Sequence, residues 1–467
     1  ILFFIFSWRC LDWAVMFLIA ALPSYLIRFN IFGVPATLLE IMIWIVFLVW
    51  LIKNFSLIKN NFLENFKKEN KKVKIRYPFD WELIFLLLVA FVAVGVSSFS
   101  SSSLGIFKAY FFESVMFFIV VVNVMKGDKG REKILWSLAL SALAVSFLAI
   151  YQKITGQLIY NPIWAAPETR RVVSFFGYPN AVGLYLGPIV LVLTGWLVGS
   201  IKNFQFSISN FQTIFNAKIF KKIFIVLVIV MSVLSIYFAK SKGALLGLAV
   251  GLVVFGLLVN KKIRWVTIIF CILIGVGIVT YQPSKKLVYD TITFKTFSGQ
   301  IRMVGWEESW GMLKDNRLIT GAGLANFKTA VAPYHAEGFF IKNDDPDWLK
   351  NLRNSAEYRK KMWQPLEIYL YPHNIILNFW SELGLAGLLL FIWIILKYFY
   401  IGFKNCRQLI VNYKYINIGL ICAMVAIVIH GIVDVPYFKN DLSIMFWLFV
   451  AMISMINLEK NYGENNI

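Results

Sequence analysis

Apolar positions in this chain run on in blocks far longer than the single face of a soluble helix requires. Stretches of about 17–25 mostly apolar residues, enough to cross a hydrocarbon core of roughly 30 Å, recur along its whole length. Spans are expected near residues 10–27, 33–52, 82–98, 104–125, 134–152, 178–199, 222–239, 243–260, 264–281, 373–397, 414–431 and 442–457. Pro and Gly blur several ends, so the count is about twelve, with an error of one or two. One polar insertion, residues 282–372, separates the ninth span from the tenth. The pattern predicts an all-α polytopic membrane protein in three parts: a bundle over 1–281, a loop domain over 282–372 and a closing bundle over 373–467. No repeat of fixed period is visible, so an inverted-repeat transporter gains no support from that direction.

Composition agrees: 59% hydrophobic residues, 17% aromatic and only 15% charged exclude an ordinary soluble domain. The net charge of +21 looks like a nucleic-acid signal until its placement is examined. Lys and Arg crowd the connections 53–80 (Lys67, Lys68, Lys71, Lys72, Lys74, Arg76), 126–133, 199–222, 260–264 and 397–414. These are alternate loops, which the positive-inside rule assigns to the cytoplasm. The charge therefore reports topology and attraction to anionic lipid, with no nucleic acid as a partner. Twelve spans put both termini inside, and the insertion 282–372 and the loops 153–177, 240–243 and 431–441 outside. No cleavable signal peptide is evident, and a start at Ile1 leaves room for a short piece ahead of it. The four cysteines form no CxxC motif, so structural thiols are expected, with no disulfide framework and no metal site.

Chemistry has few places to sit in such a chain. The segment Tyr371-Pro372-His373-Asn374 puts one of only three histidines at the mouth of the tenth span. An imidazole there can exchange protons with water and with a bound substrate. Arg170 and Arg171 lead into Pro179-Asn180, which suits the first turn of a helix. The two arginines read either as interface anchors or as guanidinium forks for phosphate oxygens. In the turn Lys240-Ser241-Lys242-Gly243, cations on the outer side run against the positive-inside bias and favour an anionic ligand. Gly243, Gly247 and Gly251 form a small-residue stripe that suits close helix packing.

Arg302 and Trp306 share one face of an expected helix. Gly321-Ala322-Gly323 reads as a structural turn, a lone GxG being weak evidence for phosphate binding. The aromatic and charged stretch with Tyr334, His335, Trp348, Tyr358, Trp363 and Tyr369 suits sugar rings or a helix resting in the lipid interface. Asp434, four residues after His430, either orients that histidine or belongs to a structural turn.

Taken in order, these pieces resemble the O-antigen ligase and O-antigen polymerase family of bacterial membrane glycosyltransferases. The matching pieces are Arg171…Phe176…Pro179-Asn180, Ser241-Lys242-Gly243-Ala244, Arg302-x-x-x-Trp306, Gly321-x-Gly323-x-x-Asn326-Phe327, His373-Asn374-x-x-Leu377, Glu382-x-Gly384 and His430…Asp434, followed by a closing span with Phe446-Trp447. The family usually shows Ser-Arg-Gly where this chain has Ser241-Lys242-Gly243, and lysine keeps the charge but loses the bidentate fork. The resemblance implies a GT-C-like helical fold in the bacterial cytoplasmic membrane with an external active site. Its implied donor is a glycan on a polyprenyl diphosphate, and its acceptor a hydroxyl on a glycan, a lipid-core sugar or a protein.

That chemistry needs cations where the diphosphate leaves and a base for the acceptor proton. His373 is the expected base. Arg171, Arg302, Lys242 and Arg170 are expected at the diphosphate, with Asn374, Trp306, His430 and Asp434 in support. No cofactor or metal is expected, and the absence of a second carboxylate points to inversion by direct displacement. A transporter or flippase of lipid-linked glycans is the competing class, with Lys108, Glu113 and Glu40 as its intramembrane candidates.

Overall fold

A computed structural model of the chain describes residues 1–31, 33–66, 78–202, 217–406 and 411–464. The cations Lys67, Lys68, Lys71, Lys72, Lys74 and Arg76, and the connection 203–216, lie outside the described residues. Each expected span falls on a helix. Among the described residues nine helices are long and apolar enough to cross a membrane: Leu38–Phe55, Ser101–Val124, Gly127–Thr155, Pro179–Ile201, Ile219–Phe238, Lys242–Val259, Lys261–Thr280, Ile375–Cys406 and Tyr413–Gly431. The remaining expected spans fall on the shorter helices Leu11–Ala20, Asp80–Val96 and Asn440–Ile456.

Local chemistry explains the shortening at the N-terminal end. Pro23 starts a 3-10 turn over Leu22–Leu26, which ends the first expected span early. Gly33, at φ +82, and Pro35 then set an antiparallel hairpin, Arg28–Ile31 with Val34–Thr37, so the second long helix begins only at Leu38.

In lipid, apolar side chains gain little by leaving hydrocarbon for a helix face, so association rests on close packing. The centre of the bundle is built that way. The helix Pro179–Lys202 lies so near Val411–Gly431 that a Cβ on Gly195 would stand 2.3 Å from the Tyr415 carbonyl oxygen. Gly247 meets the Ala426 carbonyl oxygen at 2.9 Å in the same sense. The stripe Gly243, Gly247, Gly251 is thus a packing seam against Val411–Gly431. Lys261–Thr280, by contrast, buries no residue and presents apolar side chains all round.

The segment 282–372 carries its own small core of Met312, Leu313, Ala322, Phe327, Ala330 and Val331. It is joined to the bundle by the glycine turn. Gly321 (φ +67) and Gly323 (φ +84) press against the Trp380 and Ala93 carbonyls, where a Cβ would come within 2.5 and 2.8 Å. The Ala325 amide donates to the buried Glu382 at 2.7 Å, and the helix Ile375–Cys406 breaks at Gly384 to admit the turn. The Gly321-x-Gly323 and Glu382-x-Gly384 motifs are therefore one structural joint, as the turn reading expects. It brings the helix carrying Arg302 over the mouth of the helix that starts beside His373.

Candidate functional site

His373 stands between the loop domain and the bundle in a conformation that a histidine rarely adopts, with φ +50. Such strain costs on the order of 1–3 kcal/mol and persists only where neighbours hold it. They do so on both sides. Before it, the Trp306 indole donates to the Pro372 carbonyl at 2.9 Å. After it, Asn374 accepts from the Ile376 and Leu377 amides at 2.9 and 3.1 Å, capping the following helix. Its amide also donates to the Ile432 carbonyl at 3.1 Å. The rings of Tyr369 and Tyr371 stand edge-on to the imidazole, with centroids 5.2 and 4.9 Å away.

The imidazole Nδ1 faces Asp434 Oδ1 at 3.7 Å, longer than a hydrogen bond but near enough for charge to be felt. Asp434 is 1% exposed. Its Oδ1 accepts from the Val435 amide at 2.9 Å and its Oδ2 from Asn180 Nδ2 at 3.1 Å. Asn180 Oδ1 in turn accepts from Arg171 Nη2 at 3.2 Å. A chain Arg171–Asn180–Asp434 thus ends at His373. Asn180 read as a helix cap in the sequence; the structure uses it to link a cation to a carboxylate.

Each arginine is fixed by its backbone contacts. Arg171 donates Nε to the Ala239 carbonyl at 2.9 Å, and Arg302 donates Nε to the Val433 carbonyl at 2.9 Å and Nη1 to Ser298 at 3.1 Å. Arg171 Nη1 and Arg302 Nη2 have no partner among the described residues. The loop under Arg171 is pinned by buried Gln152, which accepts from the Val173 and Ser174 amides at 2.9 and 2.7 Å. Burial lowers the pKa of Arg171, and the Arg302 charge lowers it further. Burial lowers that of Arg302 as well, with Asp434 acting against it.

The site therefore brings together Arg171, Arg302, Trp306, His373, Asn374, His430 and Asp434. His430 is buried in the last turn of Val411–Gly431, and Gly243 packs on it so closely that a Cβ would stand 2.7 Å from its Cδ2. Lys242, next to that glycine, is exposed in the first turn of Lys242–Val259. Arg170 is not brought to the others. It donates to the Ala165, Lys153 and Ile154 carbonyls at 3.2, 3.0 and 3.3 Å, closing the end of Gly127–Thr155.

Sequence reasoning missed Gln152, the linking role of Asn180, and the neighbouring pair Tyr178 and Tyr371, whose hydroxyls influence one another. Burial, with Asp434 second, pushes the Tyr371 hydroxyl up to about 12. Among the described residues no group of three His, Cys, Asp or Glu is placed to hold a metal ion.

Burial alone would raise the Asp434 carboxyl, but the His373 contact and the His430 charge outweigh it and hold the group at about 2. A depressed carboxylate stabilises the fold fully above its unfolded value of about 3.9, and the contribution is lost as pH falls through the folded value. Thermal unfolding in detergent should show the wild type losing midpoint between about pH 4 and 2 more steeply than Asp434→Asn. Equal acid slopes would show that this carboxylate does not carry the effect.

The O-antigen ligase family matches this chain over residues 227–392. A protein of Rickettsia bellii (strain RML369-C) named "Putative polysaccharide ligase" is 30% identical over 177 residues. That stretch is 37% of this chain and 38% of the relative, so well under half of either is matched. The family match takes in Lys242, Arg302, Trp306, His373 and Asn374, and leaves Arg171, Asn180, His430 and Asp434 outside its bounds. Together with the nine apolar helices it implies an integral membrane protein. Residues 227–392 thus match the family that the order of the motifs points to.

Proposed function

We propose that the protein is a membrane glycosyltransferase that moves a glycan from a polyprenyl-diphosphate donor to an acceptor hydroxyl at the outer face of the bacterial cytoplasmic membrane. The observation that carries this reading is the convergence of two half-buried arginines, each with one guanidinium nitrogen unpartnered among the described residues, on the His373–Asp434 pair. Asp434 faces Nδ1 and leaves Nε2 as the base. The acceptor oxygen attacks the anomeric carbon as its proton passes to His373. The bond from that carbon to the diphosphate oxygen breaks, and the diphosphate leaves with the electron pair. Arg171 and Arg302 take up the charge it gains, with Lys242 at the rim, and the displacement inverts the anomeric centre without a metal or cofactor.

A transporter or flippase of lipid-linked glycans would need its intramembrane ionisable groups available to cargo. Lys108 is instead paired with Glu40 at 3.0 Å, and Glu113 accepts from the Trp44 indole at 2.8 Å. Both pairs favour the transferase reading.

His373→Ala should leave membrane insertion intact and slow transfer by about 10²–10⁴-fold, the usual cost of losing a general base. Near-normal transfer by the folded variant would remove His373 from that role.

Arg171→Ala and Arg302→Ala should each raise KM for the diphosphate-linked donor and lower kcat, with lysine restoring only part of the loss because one fork becomes a point charge. Unchanged kinetics in both alanine variants would reduce the arginines to structural braces.

Sidedness is open to chemical labelling. A cysteine at Asn343, in the loop domain, should react with a membrane-impermeant thiol reagent from outside the cytoplasmic membrane. One at Lys262, on a Lys-rich connection at the other end of the bundle, should not. The reverse pattern would place the site in the cytoplasm and exclude an externally presented donor.

A further inference from the structure

A second cavity opens beside the site, about 710 Å³ in volume, walled by the hairpin Arg28–Thr37, the π-helical segment Phe107–Phe112 and the turn at Lys439. Its polar lining is cationic: Arg28, Lys108 and Lys439 against the single carboxylate of Glu40. Glu40 is already engaged, by Lys108 at 3.0 Å and by Asn440 at 3.1 Å. Lys439 lies 4.0 Å from Asp441 beneath it, and its ammonium sits over the rings of Tyr25, Phe176 and Tyr178 at 5.2, 4.7 and 5.4 Å. Arg28 has no ion-pair partner among the described residues. Burial lowers the Lys439 pKa; Asp441 and Asp434 oppose that, and nearby Arg28 adds to it. Arg28, with no ion-pair partner among the described residues, and Lys439, 4.0 Å from its nearest carboxylate, put positive charge at the cavity wall that attracts an anion.

The cavity also adjoins the transfer centre. Tyr178 lines it, and the nearby Tyr371, whose hydroxyl influences that of Tyr178, has its ring 4.9 Å from His373. A π-helical turn in a long helix is a frequent mark of a functional site. We propose that this cavity is a second substrate compartment, one that binds a phosphate-bearing lipid head group between Arg28 and Lys439. Its volume admits a phosphate with an attached polyol or sugar. Calling the occupant a substrate rests on the transferase reading; the binding itself does not.

The full chain in uncharged detergent is titrated with dioctanoyl phosphatidic acid, dioctanoyl phosphatidylcholine and soluble glycerol 3-phosphate. Saturable binding of phosphatidic acid is expected, weakened about tenfold or more in Arg28→Gln/Lys439→Gln. It should stay within about twofold in Lys261→Gln/Lys262→Gln, which removes the same charge from exposed positions at the other end of the bundle. Should the double variant not fold, Arg28→Gln alone, on the exposed hairpin, should still weaken binding about threefold. Wild-type affinity in the Arg28 variants, an equal loss in the control, or equally tight phosphatidylcholine overturns the proposal. Glycerol 3-phosphate binding as tightly as the lipid would keep the phosphate site but overturn its assignment to a lipid. No transfer assay enters, so failure here leaves the transferase reading standing, and an inactive enzyme leaves this test intact.

Discussion

A carboxylate kept ionised inside the end of a helical bundle is the constraint on which this site depends. Burying a lone charge costs several kcal/mol unless donors and opposite charge surround it. Asp434 receives the Val435 amide and Asn180, and faces His373. Asn180 can donate to it in a fixed direction because its own oxygen is held by Arg171, and Arg171 is held by the Ala239 carbonyl. Three connections are tied to one another by that sequence of bonds: the run after Gly127–Thr155, the turn before Lys242–Val259 and the turn after Val411–Gly431. Arg302 adds the loop domain through the carbonyl of Val433, the residue just before Asp434. The geometry around His373 is thus a consequence of satisfying one buried charge.

Helix packing makes those bonds possible. Asn180 sits in the first turn of Pro179–Lys202, and Asp434 follows the last turn of Val411–Gly431. The two meet because the helices run in close contact, with Gly195 and Gly419 each against a carbonyl of the other helix. A methyl group at either would separate them by several tenths of an ångström or more, and a 3.1 Å hydrogen bond does not survive such a shift. Gly243 performs the same service at the rim, where it lets the Lys242 turn close on His430.

Hydropathy made the spans legible because a lipid-facing helix must be apolar over its whole crossing, whatever it packs against. The ends were less legible, since Pro23 and the Gly33–Pro35 turn act over single residues inside apolar runs. His373, Arg302 and Trp306 stood out because charged or aromatic residues next to a span have few bland uses. Arg170 and Arg171 are indistinguishable in sequence and differ only in the fold: one closes a helix end, the other reaches Asn180. Pairs such as Tyr178–Tyr371, and a hub such as Gln152, join positions with no periodic relation. Only the folded chain puts them together.

Charge placement separates support from chemistry. Within the bundle the buried acids Glu40, Glu82 and Glu113 have partners: Glu40 has Lys108, Glu82 has Lys397 and Trp393, and Glu113 has Trp44. At its end the Arg302 charge bears on Arg171, and both reach the carboxylate of Asp434, Arg302 through its charge and Arg171 through Asn180. Positive charge there is in excess until an anion arrives. A leaving diphosphate is the anion whose charge grows as the bond to the sugar breaks, so the attraction is stronger in the transition state than in the bound donor. Because backbone carbonyls already orient both guanidinium planes, little reorganisation is needed at the moment of reaction. The same fixing makes lysine a poor substitute at these two positions, whereas exposed Lys242 at the rim has no such plane to keep.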